Sequence, residues 1–135
     1  MIQINRAPLM ANNMTKGEEE LMNHLWNLEK SFFKELKDQY KDPKPATTTI
    51  NTLLKRLIDK GAVNYTLFGN SREYFPLISK EQYYSKHLRG LIKNSFNNSI
   101  EQFASFFTRE VEISDSDLKK LRDIVDNQLN RRSND

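Results

Sequence analysis

The stretch PATTTINTLLKRLIDKGAVNYTLFGNSREYFPL, residues 45–77, holds a helical pattern, a glycine stop and two short strand patterns around a Gly69-Asn70-Ser71 tip. Ile50, Leu53, Leu54, Leu57 and Ile58 recur at the spacing of one helical face, which predicts an amphipathic helix with that face in a core. Gly61 stands where a helix ends on a left-handed residue. After it Val63, Tyr65 and Leu67 alternate with Asn64, Thr66 and Phe68, and Tyr74, Phe75, Leu77 and Ile78 return, as in a β-hairpin. A helix followed directly by such a hairpin is the order of a winged helix that reads DNA.

The free face of that helix has chemistry suited to a major groove. Thr47, Thr48, Thr49, Asn51 and Thr52 crowd its first turn and a half, with Lys55 and Arg56 one turn later. A threonine methyl can meet the thymine methyl and its hydroxyl a phosphate, while the Asn51 amide matches an adenine edge. Lys55 and Arg56 suit backbone phosphate, and Arg72 lies at the shoulder of the wing. The competing reading makes the threonines helix caps, although one cap needs only one residue.

The 135 residues suffice for one ordinary domain, or a compact module with a helical extension. The chain has no cysteine, so disulfides, thiolate metal sites and cysteine nucleophiles are ruled out. The first residues lack a cleavable signal pattern, and no run approaches the roughly 20 apolar residues that span a bilayer, so a cytoplasmic protein is expected. Net charge is only +3, but residues 30–72 carry nine basic side chains against four acidic ones, a local excess suited to phosphate.

Along the chain, residues 1–13 read as a flexible N-terminal arm and 14–78 as the winged-helix DNA-binding domain. A first helix begins near Thr15, with Glu18 at capping-box spacing and Leu21, Met22, Leu25, Trp26 and Leu28 as its buried stripe. Phe32, Phe33, Leu36 and Tyr40 predict a second helix, closed by Asp42-Pro43-Lys44-Pro45. Residues 79–130 form a helical region with starts at Ser79 and Ser114 and a break at Asn97-Asn98-Ser99, and residues 131–135 should fray. These last helices carry more apolar surface than so short a tail can bury on itself, which predicts a homodimer formed through Leu88, Leu91, Ile92, Phe96, Phe103, Phe107, Leu118, Leu121 and Val125, the alternative being that they pack onto the winged helix of the same chain. A dimer also joins two half-sites of a palindromic operator.

The segments GEEELMNHLW at 17–26, TTINTLLKRLIDKGAV at 48–63, REYFPLIS at 72–79 and ISDSDLKKLRDIV at 113–125 together resemble the BlaI/MecI/CopY-type repressors of beta-lactamase, methicillin-resistance and copper genes. The resemblance covers about Thr15 to Leu129. It implies a mainly α fold with a small β wing, a winged helix-turn-helix that binds palindromic operators as a repressor, and a helical C-terminal dimerisation region. It places Thr48, Thr49, Asn51, Thr52 and Arg56 on the recognition helix and Arg72 on the wing. The family often has a basic residue where Thr48 and Asn51 stand, and losing such a contact to guanine changes what is read by about 1–3 kcal/mol per pair. In the beta-lactamase branch a membrane-bound sensor protease leads to cleavage at an Asn-Phe bond; the matching pair here is Phe106-Phe107, which makes it the candidate cleavage site. Copper sensing through cysteines is excluded.

No catalytic constellation, metal site or cofactor is expected. His24 and His87 are far apart in sequence, the acidic pairs Glu110/Glu112 and Asp115/Asp117 flank a helix start, and no glycine-rich phosphate loop occurs. Two other readings stand beside the repressor: a winged helix that docks a protein on its threonine face, and a repressor released by a small ligand among Tyr83, Tyr84, Phe103 and Phe107.

Overall fold

The computed structural model describes residues 14–134, and the arm expected over residues 1–13 lies outside them. The chain divides into two units, the first ending at Leu88 and the second beginning at Arg89. The division falls inside a helix, ten residues beyond the boundary that the sequence pattern places after residue 78.

The first unit comprises α1 (Lys16–Leu28), β1 (Ser31–Phe32), α2 (Phe33–Asp38), α3 (Thr47–Asp59), β2 (Val63–Phe68), β3 (Ser71–Pro76) and the leading half of α4 (Lys80–Ser95). Its strands form an antiparallel sheet in the order β1-β3-β2. Three helices closed by a hairpin wing make this a winged helix, mainly α with a small β wing. Its core takes much of the stripe that the sequence spacing marks: Leu21, Met22 and Leu25 of α1, Leu36 of α2, and Ile50, Leu54 and Leu57 of α3 are buried, while Trp26, Leu28, Leu53 and Ile58 are half-buried against them. Each such side chain contributes about 1.5–3 kcal/mol relative to exposure.

Local signals set the ends of these elements. Thr15 Oγ1 accepts the Glu18 N–H at 3.2 Å while Glu18 Oε1 accepts the Thr15 N–H at 2.8 Å, a reciprocal cap that starts α1. Helix α3 stops because Gly61 takes φ 77°. The Ala62 and Gly61 N–H groups then donate back to the Leu57 and Ile58 carbonyls, each at 2.9 Å, which satisfies the last turn. The wing turn is tighter than the three-residue tip in the sequence reading. Phe68 already pairs with Ser71, leaving Gly69-Asn70 as a two-residue turn with Gly69 at φ 61°, the position where a II′ turn requires glycine.

Two elements differ from expectation. Ser31 and Phe32 do not open a helix; they pair with Tyr74 and Glu73 as the third strand, and α2 shrinks to Phe33–Asp38. The Lys44 ammonium bonds the Tyr40 and Asp38 carbonyls at 2.6 and 3.3 Å, satisfying the loop that replaces the helix's last turn. The returning strand also ends at Pro76, so Leu77 and Ile78 lie beyond it. Proline cannot donate to a ladder, and Ile78 instead accepts the Trp26 indole N–H at 2.8 Å.

The reversal from α1 into β1 runs through Glu29 at φ 69°, ψ −45°, a conformation that strains any residue with a Cβ. Glu29→Gly is expected to raise stability by about 0.5–1 kcal/mol, the relieved strain less the added unfolded-state entropy of glycine. A thermal melt checks this, and a lowered midpoint would contradict it.

The second unit continues α4 and adds α5 (Ile100–Glu110) and α6 (Asp115–Ser133). Ser99 and Ser114 cap α5 and α6 by accepting the Gln102 and Asp117 N–H groups, each at 3.1 Å. Of the tail expected to fray over 131–135, Asp135 lies outside the described residues; the helix runs to Ser133, with Arg131 and Arg132 in its last turn offsetting the helix dipole. Neither α5 nor α6 holds a buried residue. Phe96 touches Phe103 and Phe106, with ring centroids 5.6 and 5.2 Å apart, and Phe103 stacks on Phe107 at 5.9 Å. No described helix is long and apolar enough to cross a membrane.

Candidate nucleic-acid interface

Helix α3 presents two chemically distinct faces because its apolar residues recur with the helical period. Ile50, Leu54 and Leu57 are buried, whereas Thr47, Thr48, Thr49, Asn51, Thr52, Lys55 and Arg56 are exposed. None of the threonines caps the helix. Ala46 is the N-cap and makes no side-chain bond, so the small polar cluster is not explained by capping.

Each hydroxyl has its own setting. Thr47 Oγ1 accepts from the Lys37 ammonium at 3.1 Å, which brings a cation from α2 to the start of α3. The Thr52 hydroxyl donates to the Thr48 carbonyl at 2.9 Å, so what Thr52 offers a ligand is its methyl and an acceptor oxygen. That suits a thymine methyl or a donor edge better than a phosphate, which needs donors.

The wing closes the other side. Asn51 of α3, Phe33 and Lys34 of α2, and Asn70, Ser71 and Arg72 of the wing line one groove of about 420 Å³. The Arg72 guanidinium lies over the Tyr65 ring, 4.3 Å from its centroid. Tyr65 and Lys34 are candidate residues that the sequence reading did not single out. The signal for Tyr65 was the hairpin register, which sets Tyr65 opposite Tyr74 and Leu67 opposite Arg72.

The basic excess over residues 30–72 is partly spent inside the fold. Lys44 holds carbonyls and Lys60 pairs with Glu18 at 2.5 Å, whereas Lys55 stays exposed and meets Asp59 at the surface at 3.3 Å. Burial alone would push the Glu18 carboxyl up, but bonds from Lys60 and Thr15 bring it below its usual value of 4.5. Lys34, Lys37, Lys55, Arg56 and Arg72 supply the cations around α3 and the wing.

The remaining candidates fall elsewhere. Burial holds the His24 imidazole below its ordinary 6.5 against the nearby Glu20 charge, and His24 meets the Tyr40 ring edge-on at 4.4 Å. His87 stacks on Tyr83 at 5.8 Å. Tyr83 is buried in the first unit and donates to Glu19 at 2.8 Å, and Tyr84 accepts from Asn23 at 3.2 Å. Both tyrosines named for a ligand site are therefore engaged in packing against α1, while Phe103 and Phe107 belong to the second unit. Among the nine residues expected to form a dimer, Leu88, Leu91, Leu121 and Val125 are exposed, and Ile92, Phe96, Phe103, Phe107 and Leu118 are half-buried. Phe106 and Phe107 lie within α5.

A family model described as penicillinase repressor matches residues 14–127. The penicillinase repressor of Bacillus licheniformis is 25% identical over 120 residues, which cover 88% of this chain and 94% of that protein. The solution structure of the DNA binding domain of the repressor BlaI is 27% identical, covering 59% of this chain and 94% of its own at a TM-score of 0.49. The complex structure of hsRosR-SG is 15% identical, covering 88% and 95% at a TM-score of 0.51, a likeness of fold. With the family match running from the start of α1 into α6, the chain belongs to the penicillinase repressor family.

Proposed function

We propose that this chain is a DNA-binding transcriptional repressor that acts as a homodimer on an inverted-repeat operator, with α3 in the major groove and the wing alongside. The observation that carries the reading is the exposed polar face of α3. Thr48, Thr49, Asn51, Thr52 and Arg56 lie opposite its buried stripe, and Asn51 shares a groove with Arg72 of the wing. Family membership and the Bacillus licheniformis relative support the same reading.

The dimer follows from the second unit. No residue of α5 or α6 is fully buried within the chain, and helical stability in a protein comes mostly from tertiary packing of an apolar face. A second copy supplies that face. Phe106 and Phe107 lie on α5 in this unit, so cleavage between them by a membrane-bound sensor protease would detach α6 and release the operator.

Duplex titrations of Asn51→Ala and Arg56→Gln test the role of α3. Asn51→Ala is expected to weaken binding about 10-fold or more and to relax discrimination at one base pair. Arg56→Gln is expected to weaken all sequences alike and to reduce the salt slope by about 1. Unchanged DNA affinity in both, with loss of a protein contact, would replace this reading with an interaction module.

A further inference from the structure

On the reading that this chain binds duplex DNA, we propose that Tyr65 is a positioning residue that holds Arg72 for insertion into an A·T-rich minor groove flanking the major-groove half-site. The guanidinium carbon of Arg72 sits 4.3 Å from the Tyr65 ring centroid, and the Tyr65 ring is itself braced edge-on by Tyr74 at 5.9 Å. Such stacking fixes the guanidinium plane and leaves its N–H edges free. Little side-chain freedom then remains to be lost on binding.

The surroundings favour a groove over a phosphate. Leu67 stands directly opposite Arg72 in the hairpin and is 61% exposed, an apolar neighbour that offers nothing to a phosphate oxygen. A narrow A·T minor groove is both wall-like and strongly negative, which suits a flat cation flanked by apolar surface. Arg72 and Asn51 line one groove. With Asn51 in the major groove, the wing reaches the next minor groove along the duplex.

Two duplexes sharing a selected half-site, one with A·T and one with G·C flanks under the wing, separate the possibilities. The wild-type chain is expected to prefer A·T flanks about 5- to 10-fold, Tyr65→Phe to keep that preference, and Tyr65→Leu and Arg72→Lys to lose most of it. Arg72→Gln abolishes the preference, and in that background Tyr65→Leu adds nothing further, because Tyr65 acts only through Arg72. Melting curves of each variant set the titration temperature below unfolding. Equal binding to both flanks by the wild type, an unchanged preference in Arg72→Lys, or full additivity of the Tyr65 and Arg72 substitutions would overturn the proposal while leaving DNA binding intact. Absence of wild-type binding to any duplex would overturn the parent reading and this one with it.

Discussion

Replacing Lys60 by methionine is expected to lower the stability of the first unit by about 3 kcal/mol, because it strands a carboxylate that is almost wholly buried. Glu18 is 1% exposed and Lys60 22% exposed, and their contact joins the first turn of α1 to the end of α3. The asymmetry of exposure predicts an asymmetry of cost. Glu18→Gln keeps an acceptor for the Thr15 N–H and leaves a lysine that can reach water, so it should cost only about 1 kcal/mol. Urea midpoints at neutral pH measure both, and equal losses in the two variants would contradict the buried-carboxylate account.

The same pair fixes the sign of the acid response. Glu18 titrates below 4.5 in the folded chain, so its contribution is complete above pH 4.5 and is lost as pH falls through the lower folded value. Removing Lys60 removes two of the influences that hold the carboxyl down. Its folded value then moves back upward, and the acid-side loss of stability assigned to Glu18 shrinks.

The second large effect concerns the dimer. Leu121→Asp combined with Val125→Asp places charge on the apolar face of α6, where both side chains are exposed within one chain at 38% and 50%. If a second copy covers them, the variant sediments as a monomer and its operator affinity falls at least about 100-fold, since linked half-sites lose their avidity. The first unit should melt unchanged, because none of its core residues comes from α6. A wild-type chain that sediments as a monomer at micromolar concentration, or a variant that remains a dimer, would remove this part of the account.

What could be read from the sequence divides along the range of the interactions. Much of the α3 stripe and the helix starts at Thr15, Ser79 and Ser114 depend on residues within a few positions, and they appear in the structure as spacing predicts. Strand β1 did not, since two residues carry no period and Ser31 pairs with Tyr74, more than forty residues away. Lys60 read as part of a phosphate-facing surface because its partner Glu18 lies 42 positions earlier. Tyr65 read only as one of the alternating residues of the first wing strand, and its contact with Arg72 emerges only when Gly69-Asn70 is recognised as a two-residue turn. On α3 the exposed residues were legible, but the Lys37 bond to Thr47 was not, because it joins two helices.

The most direct test is an equilibrium titration of the full chain against a duplex selected from a random pool, repeated over a salt series with the bound mass determined. An inverted repeat with half-sites about 10 base pairs apart or a multiple of that spacing is expected, with two chains per duplex. Log affinity should fall linearly with log salt. Selection that enriches no sequence, or a chain that binds no duplex at low salt, would contradict this reading.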